Sequence, residues 1–368
     1  RVITHSIGFD IALPLLDRAA AVSGGEHKLA TNTATLALSL TEIILDIFDE
    51  STSFTSPSVP VNAFNRMQNL NDVFVSVFEP SNRMHWAGNL KKYRLVNGKL
   101  TGVGNTPAVD PATGFFSTDP AAHSYWSAAA DGDDVKRGGA GENLPSWQTR
   151  KVYTNLTGSQ NVNLSNGSND FSVTSSVSAT ALGIPDPNDS ALRAEVIDWA
   201  RGKDVWNEDD DSETDDDRNV MGAPLHVAPV TMIYGGTAND PDALVFTSTN
   251  DGYLHAIDAR TGVEAWSFIP SPLLSRIFGL YLNEETPNVS YGLDGNLKTY
   301  IKDNDFIPGI NPANEKAYLF FGMRRGGNLI FAVDVTYRNA PKLAWVIGPG
   351  SDPALADLGQ TWSAPSIF

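Results

Sequence analysis

The run Asn207–Arg218, NEDDDSETDDDR, places Asp209, Asp211, Glu213 and Asp217 at positions 1, 3, 5 and 9 of a loop. Alternate carboxylates in a tight loop converge on one point, which is how hard oxygen ligands surround Ca²⁺. These four residues are the metal-site candidates, with calcium as the ion. The loop departs from a helix–loop–helix calcium site, because position 6 is Thr214 and no bidentate glutamate stands at position 12. A solvated acidic connector, kept extended by its own repulsion, is the competing reading.

Other reactive residue types form no constellation. His5, His27, His85, His123, His226 and His255 show no metal-like spacing, and structural hydrogen bonding accounts for them best. His226 and His255 lie in the β-rich part and could face one end of it. There is no cysteine, hence no disulfide, thiolate ligand or thiol nucleophile. Neither a Gly-x-Ser-x-Gly elbow nor a His-Glu-x-x-His helix is present. Gly322–Gly327 is glycine-rich but lies between strands, so it reads as a turn and not as a phosphate loop. Trp86, Tyr93, Phe115, Phe116, Tyr125, Trp126 and Trp147 form an aromatic set for which core packing is the ordinary explanation.

The elements that must position these residues are mostly strands. Strand Val2–Phe9, helix Pro14–Val22 and helix Ala34–Phe48 open the chain, with Leu36, Leu38, Leu40, Ile43, Ile44 and Ile47 as an apolar face and Thr31–Thr33 as a cap region. This order resembles the closing part of an α/β domain. A β module follows, with an alternating strand at Asp72–Phe78 and a hairpin turning at Asn97-Gly98. Residues 101–151 are long and weakly patterned, and 155–178 are polar. Asp189 caps a helix to Ala200, the acidic run follows, and from Met221 the chain is β-rich. The predicted segments are 1–50, 51–188, 189–220 and 221–368, an α+β multidomain protein that is mostly β. The chain opens within a strand and closes at Pro365–Phe368 as another begins, as expected of an internal stretch of a longer protein.

With 26 basic and 43 acidic residues the net charge is -17. That argues against binding nucleic acid or an anionic membrane surface and suits a secreted or surface protein. No stretch approaches the roughly 20 apolar residues of a membrane span.

The most informative pattern is Leu244–Phe268, three short strands joined by turns at Asn250-Asp251-Gly252 and Ala259–Gly262. That is the pattern of a propeller blade. Its core is Ala256-x-Asp258-x-x-Thr261-Gly262-x-x-x-Trp266. Asp258 and Thr261 can bond the turn backbone, and Trp266 can lock neighbouring blades by burial. Leu329–Thr336 followed by Trp345 repeats it in degraded form.

In order along the chain, THSIGFDI, NAFNR, GNLKKYRL, VIDWARGKD, MGAPLHVAPV, TNDGYLHAIDARTGVEAWSFIP and GMRRGGNLIFAVDVT resemble the PilY family of type IV pilus proteins. The resemblance implies the end of a von Willebrand factor A-like domain, a β module and the first blades of a C-terminal propeller. It further implies a non-enzymatic pilus tip adhesin and biogenesis factor on the bacterial surface. Minor pilins, the tip complex and a host or abiotic surface would be its partners. The adhesion-site Asp-x-Ser-x-Ser of an A domain is not in this stretch, and the family's Asp-x-Asp-x-Asn-x-x-x-Asp calcium loop is expected after Phe368. Two other classes share the blade motif, a quinoprotein dehydrogenase and a secreted scaffold for another partner. The enzyme needs several regular motif copies and vicinal cysteines, against one full copy, one degraded copy and no cysteine here.

Overall fold

The computed structural model describes residues 4–367 apart from 12, 24, 50–53, 59–70, 112–115, 120, 209–211, 238–239 and 287, and apart from the side chains of 41–42, 44–49 and 54–58. The chain divides into two compact units, Arg1–Thr52 and Ser53–Phe368. It is mostly β, with several separate sheets and few helices.

In the first unit β1 (Ser6–Phe9), α1 (Pro14–Ser23), β2 (His27–Ala30) and α2 (Thr33–Asp49) follow in order. β1 and β2 pair in parallel, so α1 is the crossover that parallel pairing requires. The Asn32 side chain caps α2 by accepting the Thr35 N–H at 2.9 Å. Leu36, Ser39 and Ile43, at helical spacing, form its inward stripe, whereas Leu38 and Leu40 point to solvent. The apolar face is thus narrower than a count of leucines predicts. Ile44 and Ile47 have side chains outside the described set.

The second unit opens with β3 (Phe54–Ser58), β4 (Asp72–Phe78), β5 (Ala87–Val96) and β6 (Lys99–Thr101), an antiparallel sheet in that order. The β5–β6 hairpin turns at Asn97 and Gly98, both at positive φ, as the Asn-Gly pair predicts. β4 is buried from Val73 to Val77, on both faces, which an alternating pattern does not foresee. The short helix α3 (Gly139–Glu142) and strands β7 (Val152–Tyr153) and β8 (Gln160–Asn163) follow. Helix α4 (Ser190–Arg201) is capped by Asp189, which accepts the Leu192 N–H at 2.9 Å, and ends at Gly202 with φ 113°. β9 (Met221–Gly222) pairs with β5.

Two similar sheets complete the fold. β10 (Val230–Gly236), β11 (Pro241–Ser248), β12 (Leu254–Asp258) and β13 (Glu264–Phe268) form the first, with β7 at its edge. A 3-10 turn and helix α5 (Ile277–Leu282) lead to the second, β14 (Leu297–Lys302), β15 (Lys316–Gly322), β16 (Ile330–Asp334) and β17 (Lys342–Ile347), with β8 at its edge. Segments on either side of residue 188 therefore share sheets. Both sheets shift register just after an alanine, at Ala256/Ile257 and Ala332/Val333. Both align a phenylalanine, that alanine and a tryptophan across three strands: Phe246–Ala256–Trp266 and Phe320–Ala332–Trp345. The ring pairs match, 5.9 Å for Phe246–Trp266 and 5.8 Å for Phe320–Trp345.

The sheets stack in one direction. Val245 and Ile257 of the first sheet pack with Phe74 and Leu90 of β4–β5. Its opposite face, with Phe246, Trp266 and Phe268, shares a core with Leu319 and Phe321 of the second. Phe246 and Trp266 are accordingly buried, while Phe320 and Trp345 are only half-buried and line a groove of about 760 Å³.

Candidate functional site

The repeated motif is held by its own turn. Asp258 Oδ1 accepts the backbone N–H of Arg260 at 2.9 Å and of Thr261 at 3.0 Å, and the Thr261 hydroxyl at 3.2 Å. Its Oδ2 binds Arg338, which also reaches Asp242 at 3.0 Å. Burial raises the Asp258 pKa, but these hydrogen bonds and Arg338 outweigh it and leave the carboxyl below its ordinary value. Gly262 sits at φ 79°, and a Cβ there would come within 2.7 Å of the Trp126 ring. The Trp266 indole N–H donates to the Arg338 carbonyl at 2.9 Å, crossing to the second sheet. The motif thus joins three layers, and its polar groups are engaged in doing so.

A buried polar network underlies the first sheet. Glu264 takes a bidentate contact from Arg150, at 2.6 and 3.0 Å, and lies 2.6 Å from His255 Nδ1. Burial raises the Glu264 pKa, yet Arg150 and His255 together hold it down at about 2. Arg201 donates to the carbonyls of Trp147, Arg150 and Phe171, tying the end of α4 to the strand edge. Three of the six histidines are paired in this way: His85 with Asp251 at 2.8 Å, His226 with Asp294 at 2.7 Å, and His255 with Glu264. Structural hydrogen bonding, predicted for the set, is what these rings do. Their carboxylate partners, 166, 68 and 9 residues away, carry no spacing signal.

Of the predicted calcium ligands, Asp209 and Asp211 lie outside the described residues. Glu213 is exposed. Asp217 is half-buried, and its Oδ1 accepts the Trp147 N–H at 2.7 Å. Among the described residues, a different group brings three carboxylates together. Asp303, Asp305 and Glu315 place oxygens within 4.8 Å of one another. Glu315 is buried and accepts the backbone N–H of Asn304 and Asn311. The same alternation of acids is visible in the sequence as Asp303-x-Asp305, with Glu315 ten residues later. Of the aromatic set, Tyr93 and Trp126 are core residues, Trp86 stacks on Phe78, and Phe115 lies outside the described residues.

Comparison with known proteins adds a relationship. The type IV pilus biogenesis factor PilY1 of Pseudomonas aeruginosa strain UCBPP-PA14 is 32% identical over 127 residues. Over this stretch the chain is similar to a PilY-family protein. The PilY1 homolog of Xylella fastidiosa is 32% identical over 128 residues, and PilY1 of P. aeruginosa strain PAK is 29% identical over 133. These matches cover 33–34% of this chain and 9–10% of the relatives, so the matched stretch spans about a tenth of their length. No family model and no solved structure matches the chain. Among the described residues, no helix is long and apolar enough to cross a membrane.

Proposed function

We propose that this chain is a PilY-family protein and acts in type IV pilus biogenesis as a non-enzymatic scaffold. In this reading it works at the pilus tip or cell surface, contacts minor pilins, supports pilus extension and takes part in attachment. The observation that carries it is the 32% identity to a factor named for that role. The two similar sheets are read as successive propeller blades. Their shared Phe–Ala–Trp layer, common register shift and one-way stacking support this, with the groove over Trp345 as the place where a further blade packs. Arg1–Thr52 is read as the end of a von Willebrand factor A-like domain. The acidic run at Asp209, Asp211, Glu213 and Asp217 is read as a calcium loop. The non-enzymatic reading is supported by the motif, whose Asp258, Thr261 and Trp266 are committed to turn and packing contacts.

Deletion of the gene tests the role. Surface pili should be lost while cellular pilin stays constant, and the intact gene should restore them. Normal piliation in the deletion strain would overturn the proposal.

A further inference from the structure

The glycine-rich turn Gly322–Gly327, between β15 and β16, carries two adjacent arginines at the surface of the second unit, Arg324 and Arg325. In a chain with 43 acidic and 26 basic residues, arginines readily find carboxylates, as Arg94, Arg150, Arg218, Arg260 and Arg338 do. Among the described residues, neither Arg324 nor Arg325 forms an ion pair. Asp294 feels both charges, yet burial raises its pKa overall. Its side chain is enclosed, 2.7 Å from His226 Nδ1, and caps neither guanidinium.

Aromatic rings hold the pair instead. Arg324 Cζ lies 5.5 Å from the Trp362 ring centroid, and Arg325 Cζ lies 5.7 Å from Trp362 and 5.1 Å from Tyr291. A guanidinium over a ring face gives up no donor, because its N–H groups point outward in its own plane. Arg324 makes no side-chain hydrogen bond among the described residues. Arg325 uses only Nη1, which donates to the Tyr291 hydroxyl at 2.7 Å. Backbone contacts fix this platform. The buried Thr361 accepts the Met323 N–H on Oγ1 at 2.8 Å and the Arg324 N–H on its carbonyl at 3.2 Å, so the neighbouring Trp362 is anchored to the arginine turn. A Cβ at Gly326 would come within 1.8 Å of the Gly292 carbonyl, so the turn also sits on the backbone next to Tyr291. Arg324 has φ 50°, a left-handed conformation that long side chains seldom adopt. Strain of this kind is a pointer to function.

Outward donors on two fixed cations suit anionic oxygens, and a carboxylate matches the fork of a guanidinium. Arginine, tryptophan and tyrosine are also the residue types that dominate hot spots between proteins. Nucleic acid or an anionic membrane would instead bring many charges against a chain of net charge -17. A short acidic segment meets chiefly the local pair, since physiological salt screens charges beyond about 8 Å.

We propose that Arg324, Arg325 and Trp362 form a docking point for an acidic segment of a partner protein, whose carboxylates bond the two guanidiniums. The proposal rests on the scaffold reading only in supposing a protein partner, and binding by the purified chain can fail while the piliation result holds, or the reverse. The test is saturation-transfer NMR on the full chain with acetyl-Gly-Glu-Glu-Gly-amide and its Gln-Gln counterpart, in about 0.15 M salt. The glutamate peptide should bind with a Kd of about 1 mM, at least tenfold more tightly than the glutamine peptide. Arg324→Gln with Arg325→Gln should abolish that preference while circular dichroism shows the fold intact. Lys298→Gln with Lys302→Gln removes the same charge from exposed positions on β14 and should leave the preference in place. Equal binding of the two peptides, full binding by the arginine double variant or an equal loss in the lysine double variant would overturn the assignment. So would displacement of the peptide by inorganic phosphate or glucuronate at equal concentration, or no transfer up to about 10 mM peptide.

Discussion

At the scale of single residues, Glu264 is the most consequential ionised group. It is fully buried between Arg150 and His255, and its pKa of about 2 lies below the ordinary 4.5. A depressed carboxyl pKa contributes stability that is present above the unfolded value and lost as pH falls toward the folded one. The shift is worth about 3 kcal/mol in all, with a little under half lost by pH 3.5. Glu264→Gln keeps the shape but leaves Arg150 buried without its counter-charge, a cost of about 3–5 kcal/mol at neutral pH. Urea unfolding followed by circular dichroism at pH 7, 5 and 3.5 should therefore show a weaker variant with a shallower acid dependence. An unchanged acid slope would mean that another group carries it.

At the scale of elements, the seam between the two similar sheets rests on Trp266 and on the turn that aims it. Trp266→Ala should cost about 3–5 kcal/mol by emptying a core position. Trp266→Phe should cost less, losing the indole bond to the Arg338 carbonyl, worth about 1 kcal/mol, and part of the packing. Gly262→Ala should also destabilise, since φ 79° and the Trp126 ring at 2.7 Å both oppose a Cβ. Thermal unfolding of the full chain should rank Trp266→Ala below Trp266→Phe, and equal midpoints would place the seam elsewhere. This turn was legible in sequence because its bonds span three residues, from Asp258 to Thr261. The caps at Asn32 and Asp189 were legible for the same reason. Strand β2 was not, because its four residues, HKLA, carry no alternation. Nor were β7 and β8, which are strands only because a sheet edge from residues more than a hundred positions later receives them.

At the scale of the whole molecule, the same distinction explains what composition could reveal. A charge of -17 marks a protein that attracts cations, but charge alone does not say where they settle. Two acidic loops compete, the run containing Asp209, Asp211, Glu213 and Asp217, and the group Asp303, Asp305 and Glu315. A specific site binding only the folded state would add about 2.7 kcal/mol at free calcium a hundredfold above Kd. General screening of an acidic surface acts without regard to the cation's coordination number, so magnesium at equal ionic strength should reproduce it. The prediction is that calcium raises the unfolding midpoint of the full chain more than magnesium does, and that chelator reverses the gain. Asp209→Asn with Asp211→Asn should remove the calcium-specific part. Asp303→Asn with Asp305→Asn removing it instead would move the site to the later loop. Equal effects of the two ions in the unaltered chain would leave the acidic run as a solvated connector, with repulsion between its carboxylates as its physical role.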